Sequence, residues 1–334
     1  MLPLWRDRDT VQIGIDPRRA VAITGMSRAA DVIRLLDGSR DRTQVITEAA
    51  GRGIPEPITE RILTLLAAGG VLIDFPAEAI RSIPRELRRQ LIPELAAASL
   101  ARLDGDGGAQ VLARRTATTI AVCGSGRIAA SIADLLTCSG VAAVRWPAEP
   151  TGPGRLPAAA GETAAEVSSR AAPQRGRVRQ ADQRRVDLAI LVGQLSSGRA
   201  PALQHKRVPH LVVSASEAIG IVGPLVRPGV TACLRCLDLT RADRDPAWPL
   251  ILAQLATRSA DPPACDAALA TSVAAQAAAQ AIAFADQAPL AYATANGTLE
   301  LVLPAWQWRR RTWPPHPRCA CGSCAAWCGN RYSA

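Results

Sequence analysis

Alternating apolar and polar residues open the chain and predict a β-hairpin. Residues 10–15 alternate, Asp16-Pro17 interrupts the pattern, and residues 19–23 alternate again. Apolar residues then recur at helical spacing in three short segments, and Gly69-Gly70 ends the third. The predicted helices span residues 27–37, 41–50 and 57–68, and a strand is predicted over 71–75. Together these elements predict a small winged-helix-like α+β module over residues 1–80.

A glycine turn between a strand and a helix marks the second half of the chain. An amphipathic helix over 83–103 lies in a predicted helical linker, residues 81–115. A β-branched strand over 118–123 is followed at once by Gly124-Ser125-Gly126 and a helix through Cys138, and residues 141–144 form the next strand. This order is typical of a doubly wound, Rossmann-like α/β fold. We therefore predict such a domain over residues 116–334.

Later segments extend the same pattern. Strands are predicted over 186–192, 210–214, 219–226 and 298–303, and an alanine-rich helix over 269–286. Residues 150–185 are rich in Pro, Gly, Ala and Arg and have no hydrophobic period, which predicts a flexible insertion.

Two cysteine clusters indicate a metal site. Cys233 and Cys236 form one Cys-x-x-Cys pair, and Cys319, Cys321 and Cys324 lie close together in the tail, with Cys328 beyond. Four thiolates from two such clusters can complete one tetrahedral Zn²⁺ site, so we predict a structural zinc held by four of the first five. A second Cys-x-x-Cys hook would use Cys321 and Cys324, and His316 is an alternative ligand.

The glycine turn is a candidate phosphate-binding loop. Gly124 permits the turn, Gly126 permits close approach of a ligand, and Ala129 permits packing of the helix on the sheet. A dinucleotide site also needs an acid at the end of the second strand, but Val144-Arg145-Trp146-Pro147 offers none. The only lysine, Lys206, follows a different strand. The favoured interpretation is a vestigial nucleotide loop with an empty pocket, in which ATP is not expected.

Charge and targeting signals narrow the function classes. The net charge of +10 permits nucleic-acid binding, but one lysine among 39 basic residues indicates the coding bias of a GC-rich genome, so nucleic acid is not the favoured partner. The sequence has no uninterrupted run of eighteen or more apolar residues, so no membrane span is predicted. The N-terminal residues MLPLWRDRDT do not resemble a secretory signal. We expect a cytoplasmic protein, a compartment in which paired thiols favour metal over disulfides.

Several motifs, taken in order, resemble the ThiF-like family, the fold of ubiquitin-activating enzymes and of molybdopterin- and thiamine-pathway adenylating enzymes. They are Gly124-Ser-Gly126, Val186-Asp-Leu-Ala-Ile-Leu, Gly223-Pro-Leu-Val, Cys233-Leu-Arg-Cys236-Leu-Asp238 and His316-Pro-Arg-Cys319. More narrowly, the chain is similar to actinobacterial members found with ribosomally made, post-translationally modified peptides (RiPPs). In those members a winged-helix peptide-recognition module precedes a degenerate ThiF-like domain.

The resemblance implies a role and a set of partners. Such proteins bind the leader of a precursor peptide and present its core to a separate YcaO-type cyclodehydratase, which makes thiazol(in)e or oxazol(in)e rings. The resemblance also implies a homodimer, and its His-Pro-x-Cys-x-Cys pattern points to Cys319 and Cys321 as ligands. Residues 144–150 lack the acidic pair and the Asn/Arg-rich segment that grip ATP in active members.

The leader peptide is expected to add as a strand to a sheet edge in the first module. The candidate groove lies between strand 19–24 and the third helix, with Arg19, Val21, Ile23, Arg61 and Leu65 as its lining. Its arginines would suit an acidic leader. Two alternatives stay open: an ATP-dependent ThiF-like adenylyltransferase, and a winged-helix DNA-binding regulator. The third helix counts against the regulator because it carries few base-reading polar side chains.

Overall fold

The chain divides into two compact units, Met1–Val111 and Leu112–Ala334. The computed structural model describes residues 3–17, 20–25, 28–37, 40–72, 85–102, 107–141, 143–145, 186–193, 199–257, 265–288 and 293–322. The predicted insertion 150–185 and positions 73–75 of the predicted strand 71–75 lie outside these residues. Val71 and Leu72, which are described, are not in a strand.

A three-stranded antiparallel sheet opens the first unit, in the order β1-β2-β3. The strands are β1 (Pro3–Trp5), β2 (Thr10–Ile13) and β3 (Val21–Thr24). Strands β2 and β3 form the predicted hairpin, with Thr10 opposite Thr24 and Ile13 opposite Val21. Strand β1 was not predicted, because three residues are too few to show an alternation.

The described residues of this unit then form four helices: α1 (Ala29–Ile33), α2 (Arg42–Gly51), α3 (Glu56–Ala68) and α4 (Arg85–Arg102). A capping box between Asp41 and Gln44 begins α2, and Gly69 ends α3. The predicted helix over 27–37 was too long, because the α-helical hydrogen bonds end near Ile33. After it, Leu35 N donates to Val32 O and Leu36 N donates to Ile33 O, which is the shorter spacing of a turn. The apolar core of this unit joins both hairpin strands to α1, α2 and α3 and contains Val11, Ile13, Ile23, Val32, Leu35, Val45, Ile54, Ile62, Leu63 and Leu66.

A seven-stranded mixed sheet forms the centre of the second unit, in the order β10-β9-β8-β7-β6-β4-β5. Its strands are β4 (Thr119–Cys123), β5 (Ala143–Arg145), β6 (Leu188–Val192), β7 (His210–Ser216), β8 (Ile219–Val226), β9 (Gly297–Val302) and β10 (Gln307–Thr312). Neighbours from β5 to β7 are parallel, and neighbours from β7 to β10 are antiparallel. The chain is therefore a mixed α/β protein, whereas the doubly wound and winged-helix assignments stay predictions.

The other helices among the described residues are α5 (Ala109–Ala117), α6 (Gly126–Cys138), α7 (Arg199–His205), α8 (Leu234–Ala242), α9 (Trp248–Thr257) and α10 (Ala267–Ala285). Asp266 caps α10 by accepting from the N–H groups of Ala268 and Leu269. Small residues let α10 lie close to the sheet: a Cβ added to Gly220 of β8 would lie 2.3 Å from Val273 Cγ2. Substitution of Gly220 would therefore push the helix from the sheet.

Helix α10 is long and apolar enough to cross a membrane by length and composition alone. Its buried residues, among them Leu269 and Val273, lie instead in the core cluster of the seven-stranded sheet. A buried ion pair fixes its C-terminal end, where Arg115 Nε donates to Asp286 Oδ1 at 2.8 Å and Arg115 also donates to Ser139 O. Helix α10 thus has the surroundings of a core helix.

Candidate metal centre and neighbouring sites

Four cysteines from two distant segments meet beside helix α8. Cys233 caps α8 with extended backbone angles and Cys236 lies in its first turn, where Cys236 N donates to Cys233 O at 2.9 Å. Cys319 and Cys321 arrive from the turn after β10. The Sγ atoms lie 3.8 Å apart for Cys233–Cys236, 3.6 Å for Cys233–Cys319 and 3.6 Å for Cys236–Cys321. All four lie within 4.8 Å of one another.

These distances fit a tetrahedral metal ion. A Zn–S bond of about 2.3 Å gives a tetrahedron with edges of about 3.8 Å, which matches the spacing of the four sulfur atoms. The set Cys233, Cys236, Cys319 and Cys321 can therefore hold a metal ion and is compatible with zinc. Of the five predicted ligands, Cys324 lies outside the described residues.

Burial and the hydrogen bonds between these thiols shift their pKa values in different directions. The hydrogen bond between Cys233 and Cys236 raises the pKa of Cys233 and lowers the pKa of Cys236. Burial raises the pKa of Cys319 to about 11. Without a cation, four close thiols cannot all ionise, because each thiolate disfavours the next. A divalent metal would favour all four as thiolates and release their protons.

His316 supports the cluster from outside it. Its Nε2 donates to Asp243 Oδ2 at 2.8 Å, and its Nδ1 accepts from Arg318 N at 3.2 Å. Arg318 also donates to Asp243 Oδ1, and the hydrogen bond from His316 lowers the pKa of Asp243. The ring nitrogens are thus engaged by other groups, and the four-sulfur cluster does not include His316. Because Asp243 follows α8, this contact joins the segment before Cys319 to the helix that carries Cys236.

A stack of aromatic and arginine side chains lies next to the cluster. Trp313 is buried in the same apolar cluster as the cysteines and donates through Nε1 to Thr298 Oγ1 at 2.9 Å. Arg241 lies over both Trp248 and Trp313, at 4.8 and 5.0 Å from the ring centroids. Sequence reasoning missed this stack, and the only available signal was the recurrence of tryptophan in a basic segment.

The glycine turn has local packing reasons for its residues. Gly124 has a φ of +142°, and an added Cβ would lie 2.4 Å from Val192 O, so the turn lies tightly against the end of β6. Gly126 has a φ of +81° with open space where a Cβ would be. Ala129 is fully buried in the sheet core, and Ser125 and Gly126 are exposed at the start of α6. The turn thus presents a helix N-terminus whose glycines need no ligand to explain them.

Topology separates the only lysine from this turn. The turn follows β4 and therefore lies at the carboxyl edge of the parallel strands. Helix α7 runs back from the carboxyl end of β6 towards the start of β7, and Lys206 follows its last residue. Lys206 consequently lies towards the amino ends of the parallel strands, whereas Gly124 lies at their carboxyl ends. Lys206 therefore does not complete a phosphate site at Gly124. Glu149, the first acid after β5, lies outside the described residues.

The predicted peptide groove has an open strand edge. Strand β3 is last in the order β1-β2-β3, so none of the described strands pairs with its outer edge. Val21 is partly buried, Ile23 is buried in the core, and Arg61 is exposed on α3. Leu65 is 41% exposed. Arg19 lies outside the described residues.

Strand β3 and helix α3 meet at Val21. A Cβ added to Gly69 would lie 3.1 Å from Val21 Cγ1, and Gly69 N donates to Leu65 O. The last turn of α3, which begins at Leu65, therefore lies beside the start of β3. Ile58 is also 41% exposed and, like Arg61, shares a helix face with Leu65.

Comparison with known proteins gives structural neighbours only. No family model matches the chain, and no curated protein sequence matches it. Escherichia coli MccB solved with AMPCPP and MccA is similar in structure, with a TM-score of 0.56 and 15% identity over 96% of this chain and 97% of MccB. MccB is a microcin C7 biosynthetic enzyme.

Two heterocyclase structures are also similar. The heterocyclase TruD gives a TM-score of 0.59 at 16% identity, and a heterocyclase in complex with substrate and cofactor gives 0.59 at 14%. Each match covers 96% of this chain but only 42% and 38% of the heterocyclase. The fold is thus common to a whole microcin-biosynthesis enzyme and to less than half of a heterocyclase.

Proposed function

We propose that this chain is a non-catalytic partner protein in the biosynthesis of an azol(in)e-modified RiPP. It binds the leader of the precursor and presents the core peptide to a YcaO-type cyclodehydratase. The observation that carries the proposal is the coverage of the heterocyclases, since nearly all of this chain matches less than half of TruD. The remainder of TruD has no counterpart in this chain, and we assign ring formation to a second protein.

The separation of Lys206 from the glycine turn supports a non-catalytic role. Adenylation requires cations at the phosphates and carboxylates for magnesium. The described part of the turn supplies open backbone at Ser125 and Gly126 and one exposed arginine, Arg127. In the proposed architecture, a ThiF-type Rossmann-like body dimerises and retains the metal centre, while its nucleotide loop has only a structural role.

The edge of β3 supports the peptide-binding role. Its outer edge, with which none of the described strands pairs, can accept an extended peptide as a fourth strand, and main-chain hydrogen bonds supply affinity. Ile58 and Leu65 offer apolar surface beside that edge, and Arg61 lies between them on the same face of α3. An acidic and apolar leader is therefore the expected ligand of this groove.

Leader binding can be tested with Leu65→Glu. The probe is a fluorescein-labelled leader of the precursor peptide from the same gene cluster, and the readouts are fluorescence anisotropy and loss of water from the core with the YcaO-type enzyme. We expect at least about a tenfold loss of affinity, because a buried carboxylate in the groove disfavours the bound peptide. Ring formation should fall in parallel.

Thr64→Glu is the matched control. Thr64 is the preceding exposed residue, and its hydroxyl donates to Glu60 O within the helix. Equal affinity of the wild type and both variants for the leader would refute the groove, and ring formation without this chain would refute the partner role.

Adenylation is the second candidate function, because MccB matches this chain over its full length and was solved with AMPCPP. ATP–pyrophosphate exchange in the presence of the precursor distinguishes the two. Exchange activity that disappears in Gly126→Glu would replace the partner proposal. A DNA-binding role gains no support from the face of α3 that carries Ile58, Arg61 and Leu65, because two of these three exposed side chains are apolar and only Arg61 could read a base.

A further inference from the structure

Strand β10 forms one edge of the seven-stranded sheet, and all six of its residues are exposed. None of the described strands pairs with its outer side. Trp313 N donates to Asn296 O at 2.8 Å, which fixes the hydrogen-bonding alternation along the β9–β10 pair. By that alternation the N–H groups of Trp308, Arg310 and Thr312 point away from β9. Strand β10 therefore offers three outward donors along one open edge.

The charge on this edge is strongly positive. Arg309, Arg310 and Arg311 are consecutive, and Arg309 has no ion-pair partner among the described residues. Arg310 donates to the carbonyls of Ala293 and Ala295, which leaves its charge without a counter-ion there. Arg311 lies 3.2 Å from Glu300. Among the described residues, only one of the three guanidinium groups is therefore paired with a carboxylate.

Two large aromatic side chains accompany the arginines. Trp306 is 47% exposed and Trp308 is 37% exposed. Charged residues at an edge often protect it from unwanted strand pairing, and this would be a sufficient account of the arginines alone. It does not account for two exposed tryptophans, which add apolar surface at the same open edge. Tryptophan and arginine together are instead typical of protein-binding surfaces.

A second copy of this chain is a poor occupant of the edge. Pairing of β10 with itself would set three arginines against the same three arginines, and like charges on opposing strands are destabilising. A nucleic acid would satisfy the charge, but it would leave the outward N–H groups without the regularly spaced acceptors that a polypeptide strand supplies. Charge and backbone together favour an acidic polypeptide.

We propose that the outer edge of β10 binds an extended acidic segment of a partner protein by strand addition. Residues directly opposite each other in a sheet lie on the same face, so Arg309 and Arg311 lie on the face of Glu300, and Trp308 lies on the face of Leu301. The added strand would alternate acidic residues opposite Arg309 and Arg311 with an apolar residue opposite Trp308. This surface belongs to the second unit and does not depend on leader binding by the first.

The test uses the whole protein and a fluorescein-labelled ten-residue peptide that alternates Glu and Val. We expect saturable binding by fluorescence anisotropy that weakens as salt is raised. Arg309→Glu should lower the affinity at least tenfold. Arg244→Glu is the matched control, because Arg244 is an exposed arginine of the same unit outside β10, and it should leave the affinity unchanged.

A second probe separates strand addition from charge alone. The same peptide with N-methyl groups on alternate residues keeps its carboxylates but cannot complete the ladder, so we expect it not to bind. Equal binding of both peptides, or equal affinity of Arg309→Glu and wild type, would overturn the proposal. So would tighter binding of a single-stranded oligonucleotide at the same edge. Leu65→Glu should bind this probe normally, which distinguishes a failure here from a failure of leader binding.

Discussion

The cysteine cluster and the glycine turn belong to the same unit, and both are predicted from short motifs. At the cluster, residues from α8 and from the segment after β10 bring four sulfur atoms to distances that suit one metal ion. At the turn, the described residues do not complete a nucleotide site, and Lys206 lies towards the amino ends of the parallel strands. Local packing against Val192 already accounts for Gly124.

The difference shows what makes a short motif informative. Cysteines near each other in sequence have little structural reason to recur in a second cluster, so their pairing indicates a ligand. A glycine turn after a strand can be required by the fold alone. Four experiments probe this contrast, from the largest expected effect to the smallest.

Loss of one thiol should have the largest effect. Cys236→Ser removes a fully buried member of the four-sulfur cluster. We expect loss of bound zinc, measured by plasma mass spectrometry, and a fall in Tm of more than about 10 °C, because metal binding contributes several kcal/mol to folding. A chelator should reproduce the fall in the wild type. Cys265→Ser, which changes an exposed thiol, is the control; a Cys236→Ser protein with full zinc and normal Tm would contradict the metal centre.

Alanine substitutions of Gly124 and Gly126 should lower the free energy of unfolding by different amounts, and no nucleotide is needed to see the difference. Gly124→Ala places a Cβ against Val192 O and should lower the free energy of unfolding by about 3 kcal/mol. Gly126→Ala meets no neighbour and strains only its φ, so about 1 kcal/mol is expected. Chemical denaturation measures both. Equal effects would contradict the packing explanation of Gly124.

Asp243→Asn should weaken the metal centre moderately. Asp243 holds His316, whose backbone N–H in turn donates to the Cys236 sulfur. We expect the zinc Kd, from competition with a fluorescent chelator, to rise about tenfold, as is typical when an outer partner of a metal site is lost. Asp245→Asn is the neighbouring control, since Asp245 accepts from Ala247 N instead. An unchanged zinc Kd would show that His316 is positioned without Asp243.

Nucleotide should have the smallest effect. We expect 1 mM AMPCPP with magnesium to leave Tm unchanged, because the described part of the turn offers a single cation, Arg127, and no carboxylate for magnesium. If the turn bound AMPCPP with a Kd of about 10 μM, the added stability would be about 2.7 kcal/mol and easily seen. MccB, which was solved with AMPCPP, serves as the positive control. A clear rise in Tm would mean that the turn is not vestigial.

The buried elements of the fold could be predicted because their patterns are strong. Strand β6 is a continuous apolar run, β7 contains the apolar run Leu211–Val213, and α10 is a long alanine-rich segment between two aspartates. Strand β10 could not be predicted, because all six of its residues are exposed and no alternation of burial marks it. Helix α8 was not predicted, because it begins between Cys233 and Cys236, and this pair was interpreted as metal ligands rather than as the start of a helix.

The candidate metal site could also be predicted only in part. Cysteine spacing indicated a metal and four of five ligands, but the choice among Cys319, Cys321 and Cys324 depends on how the tail turns after β10. The contact between His316 and Asp243 and the stack of Arg241 with Trp313 join residues far apart in the chain. Such pairs depend on tertiary packing, which no local pattern encodes.

The Sγ–Sγ contacts Cys233–Cys319 and Cys236–Cys321 join residues that lie 86 and 85 positions apart in the chain. During translation, α8 is synthesised long before Cys319 and Cys321, so more than nine tenths of the second unit (residues 112–318 of 112–334) precedes the third cysteine of the cluster. The four-sulfur cluster can therefore be completed only after the residues of α10, β9 and β10 have been synthesised.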